Sequence, residues 1–113
     1  MGRREGKVTK GGEMIKHIVM WKMKKDRGAA DSAMNALEIK KRLERLTSTI
    51  IEIKAMEVGM NFSSAEKAYD VILYTEFSNK KDLEHYLNNP EHVKVKAYIE
   101  SVIEDKAIID FEV

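Results

Sequence analysis

The chain has no cysteine and only one proline among its 113 residues. The absence of cysteine excludes a disulfide framework, thiol catalysis and zinc sites ligated by cysteine. No apolar run approaches the roughly 20 residues that a membrane-spanning helix needs. The N-terminus is polar where a signal peptide would be apolar. We therefore expect a cytoplasmic protein without a membrane partner.

The chain also has no large excess of positive or negative charge. Lysine and arginine total 20 against 19 aspartate and glutamate residues, so the formal net charge is +1. A chain with so small a net charge has no strong electrostatic field to attract nucleic acid, so we expect no nucleic-acid partner. Hydrophobic residues make up 43% of the chain, which is enough to form the core of one domain.

Motifs that hold cofactors or metals are missing too. The chain has no glycine-rich loop between a strand and a helix and no His-x-x-x-His pair, and Pro90 interrupts the helix between His85 and His92. We therefore expect neither a cofactor nor a bound metal. Glu104, Asp105 and Asp110 come nearest to a hard-cation site, and we interpret them as scattered surface carboxylates.

Residues 1–13 differ from the rest of the chain. After the first methionine they contain a single apolar residue, Val8, among charged residues and glycines. Such a segment buries too little surface to order itself, so we predict a disordered tail over 1–13 and a folded domain over 14–113. Its few basic residues have no aromatic neighbours, which favours a solvated tail over a nucleic-acid-binding arm. Met14 opens the first periodic segment and is a candidate for the natural start.

Hydrophobic periodicity predicts the element order β-α-β-β-α-β, with the second helix broken in two. Asp31 or Ser32 is the expected cap of the first helix. Asn89 followed by Pro90 predicts a fresh helix start, because asparagine caps and proline suits the first helical position. The predicted strands are 14–24, 50–60, 68–77 and 106–113, and the predicted helices are 29–48, 80–87 and 90–100.

This order is that of a ferredoxin-like α+β fold with an antiparallel sheet. Right-handed crossovers place both helical layers on one face of the sheet. Yet apolar residues alternate onto the other face as well, namely Ile18, Met20, Ile72 and Tyr74. Isolated monomers rarely expose so large an apolar patch. We therefore expect a homodimer that packs sheet against sheet.

Three stretches of the sequence are distinctive: residues 14–22 read MIKHIVMWK, 69–77 read YDVILYTEF, and 86–95 read YLNNPEHVKV. They resemble the stress-responsive α/β-barrel domain, the Dabb family. Residues 56–61 and 108–111 complete the pattern, and the Pro-Glu-His-Val stretch is its most specific part. The resemblance covers nearly all of 14–113 and implies a dimeric α/β barrel. Most bacterial members of the family have no assigned activity, whereas plant members include stress-induced proteins and a polyketide cyclase.

Similarity to the cyclase implies a site. It implies that His92 is a base for an aldol-type cyclisation, that Tyr86 assists it, and that His17 lines the same pocket. The other implied pocket positions are apolar here: Val19, Trp21, Leu43, Leu73 and Ile108. The chain departs from the cyclase at Lys40, Leu43, Asn89 and Lys96, so the substrate is not carried over.

The residues themselves support a pocket independently. His92 follows a cap and a proline, so it lies in the first turn of a helix, where the dipole favours a neutral imidazole that accepts protons. A tyrosine hydroxyl nearby suits an oxyanion or an enol. The first hypothesis is a protein that binds a small apolar or polyketide-like molecule between sheet and helices. The alternatives are a cyclase-like enzyme, a non-enzymatic dimeric stress protein and, by fold analogy, a cofactor-free monooxygenase.

Overall fold

The computed structural model describes residues 14–113, so the predicted disordered tail over 1–13 lies outside the described residues. The strands are β1 (Ile15–Met23), β2 (Ala55–Met60), β3 (Val71–Phe77) and β4 (Ile103–Glu112). The helices are α1 (Ala29–Arg45), α2 (Lys80–Asn88) and α3 (Pro90–Val102). A short 3₁₀ turn, Leu46–Ser48, follows α1.

The strands form one four-stranded sheet in the order β2-β3-β1-β4, and all neighbouring pairs are antiparallel. The predicted ferredoxin-like α+β fold, with the second helix broken in two, is therefore confirmed. β1 lies inside the sheet and hydrogen-bonds to β3 along one edge and to β4 along the other.

The two faces of the sheet differ because side chains alternate along each strand. On β1 the odd-numbered residues from Ile15 to Met23 are buried under the helices, and His17 is among them. On the other face, Ile18 lies opposite Tyr74 and Ile109, while Met20 lies opposite Ile72. We call this second surface the open sheet face. It comprises Ile18, Met20, Ile72, Tyr74, Ile109 and Phe111, of which Ile109 is 57% and Phe111 42% exposed.

Helix α1 buries the stripe that its periodicity predicts, namely Ala36, Ile39 and Leu43, and Leu46 continues it into the 3₁₀ turn. The predicted cap at Asp31 or Ser32 is wrong. Gly28 occupies the N-cap position with φ of 96°, a left-handed conformation that glycine adopts without a Cβ clash. Ser32 lies inside the first turn, where its hydroxyl donates to the carbonyls of Lys24 at 3.0 Å and Gly28 at 3.1 Å.

The predicted second strand begins too early. Ile50 follows the 3₁₀ turn and is buried, with its N–H donating to the carbonyl of Leu46 at 2.8 Å. Ile51 is 88% exposed, so this apolar run makes a turn with one anchored residue. β4 in turn begins three residues earlier than predicted, at Ile103, because Met23 pairs with Ile103 across a local irregularity of the ladder.

Asn89 separates α2 from α3 with an extended backbone, at ψ of 131°. Its side chain accepts a hydrogen bond from the N–H of Glu91 at 2.9 Å, and Pro90 takes the first helical position. The predicted start of α3 is therefore confirmed. The break brings Tyr86, near the end of α2, beside His92, in the first turn of α3.

Replacing Asn89 with alanine removes the side-chain acceptor of this cap. We expect Asn89→Ala to lower the free energy of unfolding by about 1 kcal/mol, measured by urea denaturation. Asn88→Ala is the matched control, because Asn88 is an exposed residue of α2 and should change stability by less than about 0.5 kcal/mol. Equal losses in the two variants would contradict a specific role for the cap.

Candidate functional site

A cavity of about 100 Å³ lies between the helix-facing side of the sheet and the helices. Its walls are mostly apolar. The structure places every residue of the sequence-predicted site along this cavity: His17, Val19, Trp21, Leu43, Leu73, Tyr86, His92 and Ile108. Their role in binding or catalysis stays a prediction.

Tyr86 and His92 are direct neighbours in the cavity. Their ring centroids are 4.4 Å apart, and Phe77 packs on the Tyr86 ring at 5.0 Å. The rings of His17 and Tyr86 meet edge to face at 6.0 Å. Tyr86 is 0% exposed, so the phenol is held by packing on both sides. The three side chains that the sequence singled out therefore form one cluster.

The hydroxyl of Tyr86 has no hydrogen-bond partner among the residues that the structure describes. A buried polar group without a partner is uncommon in folded proteins and lowers stability by about 1–3 kcal/mol. Burial raises the pKa of Tyr86 far above its ordinary value of 10.0, so the phenol keeps its proton. Tyr86 borders the cavity, so the cavity wall contains a buried hydrogen-bond donor that the described residues do not use.

His92 has a defined protonation pattern. Its Nδ1 lies 3.2 Å from the carbonyl oxygen of Leu87, and a carbonyl can only accept, so Nδ1 carries a proton. Burial is the main cause that holds the pKa of His92 below its ordinary value of 6.5; the hydrogen bond to Leu87 opposes the shift, and the positive charge of Lys96 adds to it. The ring is therefore neutral at pH 7, and Nε2 is a proton acceptor. The helix dipole also favours the neutral ring, but burial is the main cause of the lowered pKa.

His17 is fixed from two directions. Its Nδ1 lies 2.5 Å from a carboxylate oxygen of Asp110, which faces it across the β1–β4 ladder. The buried hydroxyl of Thr75 donates to the backbone carbonyl of His17 at 2.9 Å. Asp110 is exposed, as expected of a surface carboxylate, but its contact with His17 was not predicted. The alternation of side chains along the strand could have indicated this contact, because Asp110 lies on the same helix-facing side of β4 as Ile108.

Sequence reasoning missed much of the rim. Glu100 and Lys106 both border the cavity and form an ion pair at 2.8 Å. Lys96, noted only as a departure from the cyclase, borders the cavity too. Lys40 lies elsewhere, where it donates to the carbonyl of Val58 at 2.9 Å. The missed apolar wall residues are Leu87, Val95 and Ile99.

Residues 14–113 contain neither a metal-binding cluster nor a membrane-spanning helix. Within residues 14–113, no group of three or more histidine, cysteine, aspartate or glutamate side chains is arranged to hold a metal ion. Of the helices α1 to α3, none has the length and apolar character required to cross a membrane.

Comparison with known proteins identifies relatives. The model of the Stress responsive A/B Barrel Domain family matches residues 15–113, which confirms the resemblance seen in the sequence. None of the curated proteins matches the chain significantly. A dimeric ferredoxin-like protein of unknown function from Bacteroides fragilis is 30% identical, with a TM-score of 0.83, over 92% of this chain and 100% of that one.

Two further structures share the fold at lower identity. A dimeric ferredoxin-like protein of unknown function from Thermobifida fusca is 21% identical, with a TM-score of 0.76, over 98% of this chain and 100% of that chain. Hydroxynitrile lyase from Passiflora edulis is 13% identical, with a TM-score of 0.76, over 90% of this chain and 94% of that chain. The TM-scores of both structures show that they share the fold of this chain.

The lowered pKa of His92 has a consequence for stability. The unfolded ring takes up a proton near pH 6.5, whereas the folded ring does so only at lower pH. The stability due to neutral His92 is therefore fully present above that value and is lost as the pH falls below it. Between about pH 7 and about pH 5.5, we expect the free energy of unfolding to fall more steeply in the wild type than in His92→Gln. Urea denaturation at each pH measures both slopes, and equal slopes would refute the expectation.

Proposed function

This chain belongs to the stress-responsive A/B barrel domain family, and we propose that it binds a small apolar molecule carrying a carbonyl group in the cavity beside Tyr86 and His92. The observation that carries the proposal is the buried hydroxyl of Tyr86, which has no hydrogen-bond partner within residues 14–113. A ligand oxygen that accepts from this hydroxyl would recover the hydrogen bond lost on folding. Polyketide-like ketones offer both the apolar body and such an oxygen.

The lining of the cavity agrees with such a ligand. Ligand sites are typically apolar concavities with a few placed polar groups. Here the walls include Val19, Trp21 and Leu73, while Tyr86 and His92 supply the polar groups. A volume of about 100 Å³ suits a short chain or part of an aromatic ring, with the remainder of the ligand at the exposed rim.

Acetophenone is a suitable probe, because it joins a small ring to a carbonyl group. In a titration followed by ¹H–¹⁵N NMR, we expect shifts at cavity residues, including the indole of Trp21. We expect Tyr86→Phe to weaken binding about fivefold, which corresponds to one hydrogen bond. The stability of this variant should stay equal or rise, because a buried unpaired hydroxyl is removed.

Tyr98→Phe is the matched control. Tyr98 lies on α3 with its ring stacked under the guanidinium of Arg42 at 3.9 Å, and it does not border the cavity. This variant should bind acetophenone like the wild type. Shifts confined to residues away from the cavity, or unchanged affinity in Tyr86→Phe, would contradict the proposed site.

A second candidate function is an enzyme that abstracts a proton next to a carbonyl group. The neutral ring of His92, with Nδ1 held by Leu87, presents Nε2 as a base in the same cavity as the Tyr86 hydroxyl. In such a step, Nε2 takes the proton, the C–H electron pair moves towards the carbonyl oxygen, and Tyr86 donates to that oxygen. Cyclisation by aldol chemistry begins with this step. Hydroxynitrile lyase, which shares the fold, supports no more than the fold's compatibility with a catalytic cavity.

Exchange of the methyl protons of acetophenone for deuterium in D₂O measures this base directly. We expect the wild type to accelerate the exchange and His92→Ala to reduce the acceleration by about 10²–10⁴-fold. His85→Ala is the control, because His85 lies outside the cavity and contacts Glu52 at 3.5 Å. Binding of acetophenone without any exchange above the background rate would leave a binding protein and eliminate the enzyme.

We further propose that two copies of the chain pack together through the open sheet face. The face is apolar and lies on the side of the sheet away from the helices. Monomers rarely leave such patches exposed. The relative from Bacteroides fragilis, at 30% identity, is a dimeric protein. A second copy of the chain is therefore the proposed cover.

Met20→Glu tests this dimer. In the proposed interface the new carboxylate would be buried without a partner, at a cost of several kcal/mol. We expect sedimentation to show a dimer for the wild type and a monomer for Met20→Glu. Met34→Glu introduces the same change on α1, where Met34 is 70% exposed, and should remain dimeric. A wild type that sediments as a monomer at micromolar concentration would refute the interface.

A further inference from the structure

We infer that the cavity selects a small apolar carboxylate whose anionic group pairs with Lys96, an inference that rests on the ligand-binding function proposed above. Lys96 lies on α3, one helical turn after His92, and borders the cavity. The assignment names the chemical class of ligand and gives a binding role to a residue at the exposed rim.

The charged side chains at the rim of the cavity include two cations and one anion. The charged residues that border the cavity are Lys96, Glu100 and Lys106. Glu100 and Lys106 pair with each other at 2.8 Å and so balance one another. Within residues 14–113, no carboxylate forms an ion pair with Lys96. Lys96 also helps to lower the pKa of Glu100, after the paired Lys106, so two lysines share one carboxylate and the described rim has a net positive charge.

Lys96 is close enough to act on the interior. Its positive charge contributes to the lowered pKa of His92, so the ammonium and the ring lie within electrostatic reach. Tyr86, which also borders the cavity, carries a buried donor that no residue within 14–113 uses. A carboxylate only accepts hydrogen bonds, and those from charged donors are the stronger ones. The apolar walls would cover the ligand body while Lys96 and Tyr86 address its oxygens.

Besides Glu100 at the rim, a second acid side chain lies near this arrangement and is already engaged. Asp110 contacts Nδ1 of His17 at 2.5 Å and does not border the cavity. Its charge is therefore directed at the imidazole, and it repels a bound anion less than a free carboxylate in the cavity would. The balance of the described charges favours an anionic ligand over a cationic one.

Benzoate and benzamide provide matched probes, because they share a ring and nearly the same shape but differ in charge. With the full ¹⁵N-labelled chain at low salt, we expect NMR titration to show benzoate binding about fivefold more tightly than benzamide. Lys96→Gln should abolish this preference by weakening benzoate alone. Since Lys96 is exposed, added salt should reduce the preference in the wild type.

Lys94→Gln is the matched control. Lys94 lies on the same helix, pairs with Glu91 at 3.4 Å and does not border the cavity. It should keep the preference for benzoate. Equal affinity of the wild type for both probes, or equal losses in Lys94→Gln and Lys96→Gln, would overturn the assignment to Lys96. If neither benzoate nor benzamide nor acetophenone shifts the signals of cavity residues, the proposed ligand-binding function fails as well.

Discussion

Strand β1 hydrogen-bonds to β3 along one edge and to β4 along the other, so each of its residues has a fixed face and fixed neighbours. The odd-numbered residues His17, Val19 and Trp21 line the cavity, and the even-numbered Ile18 and Met20 lie on the open sheet face. A shift of one residue in either ladder would exchange these faces. It would place His17 on the side away from the helices and separate it from Tyr86. The core, the cavity and the proposed interface therefore all depend on this pairing.

Burial gives the cavity its chemistry. Removing Tyr86 and His92 from water disfavours their charged forms, so the phenol keeps its proton and the imidazole stays neutral. A donor and an acceptor thus lie side by side at neutral pH. The same low dielectric makes the unpartnered hydroxyl costly and strengthens any hydrogen bond that a ligand forms with it. Stability and binding are coupled here, because the feature that lowers stability in the free protein favours the bound state.

Alternation in the sequence was sufficient to predict the two faces of the sheet, and Asn89-Pro90 to predict the break between the helices. The register between distant strands was not predictable, because period-two patterns give the side of a residue but not its cross-strand partner. The contact between His17 and Asp110, 93 positions apart, was missed for this reason. The remaining errors arose from local backbone geometry that composition does not reveal. Gly28, with its left-handed backbone, occupies the N-cap position that was expected at Asp31 or Ser32. Ile50 is buried in a turn whose composition is that of a strand.

The cavity and the open sheet face meet in β1, where adjacent residues serve different surfaces. Val19 and Trp21 line the cavity, while Ile18 and Met20, their neighbours, lie on the open face. Under the proposed dimer, packing of a second copy against Ile18 and Met20 restrains the strand that holds His17 and Trp21. β4 contributes in the same way, because Ile108 borders the cavity and Ile109 lies on the open face. Association would thus restrict motion of the cavity floor without adding a residue to the cavity, and the entropy lost on ligand binding would be smaller in the dimer than in the monomer.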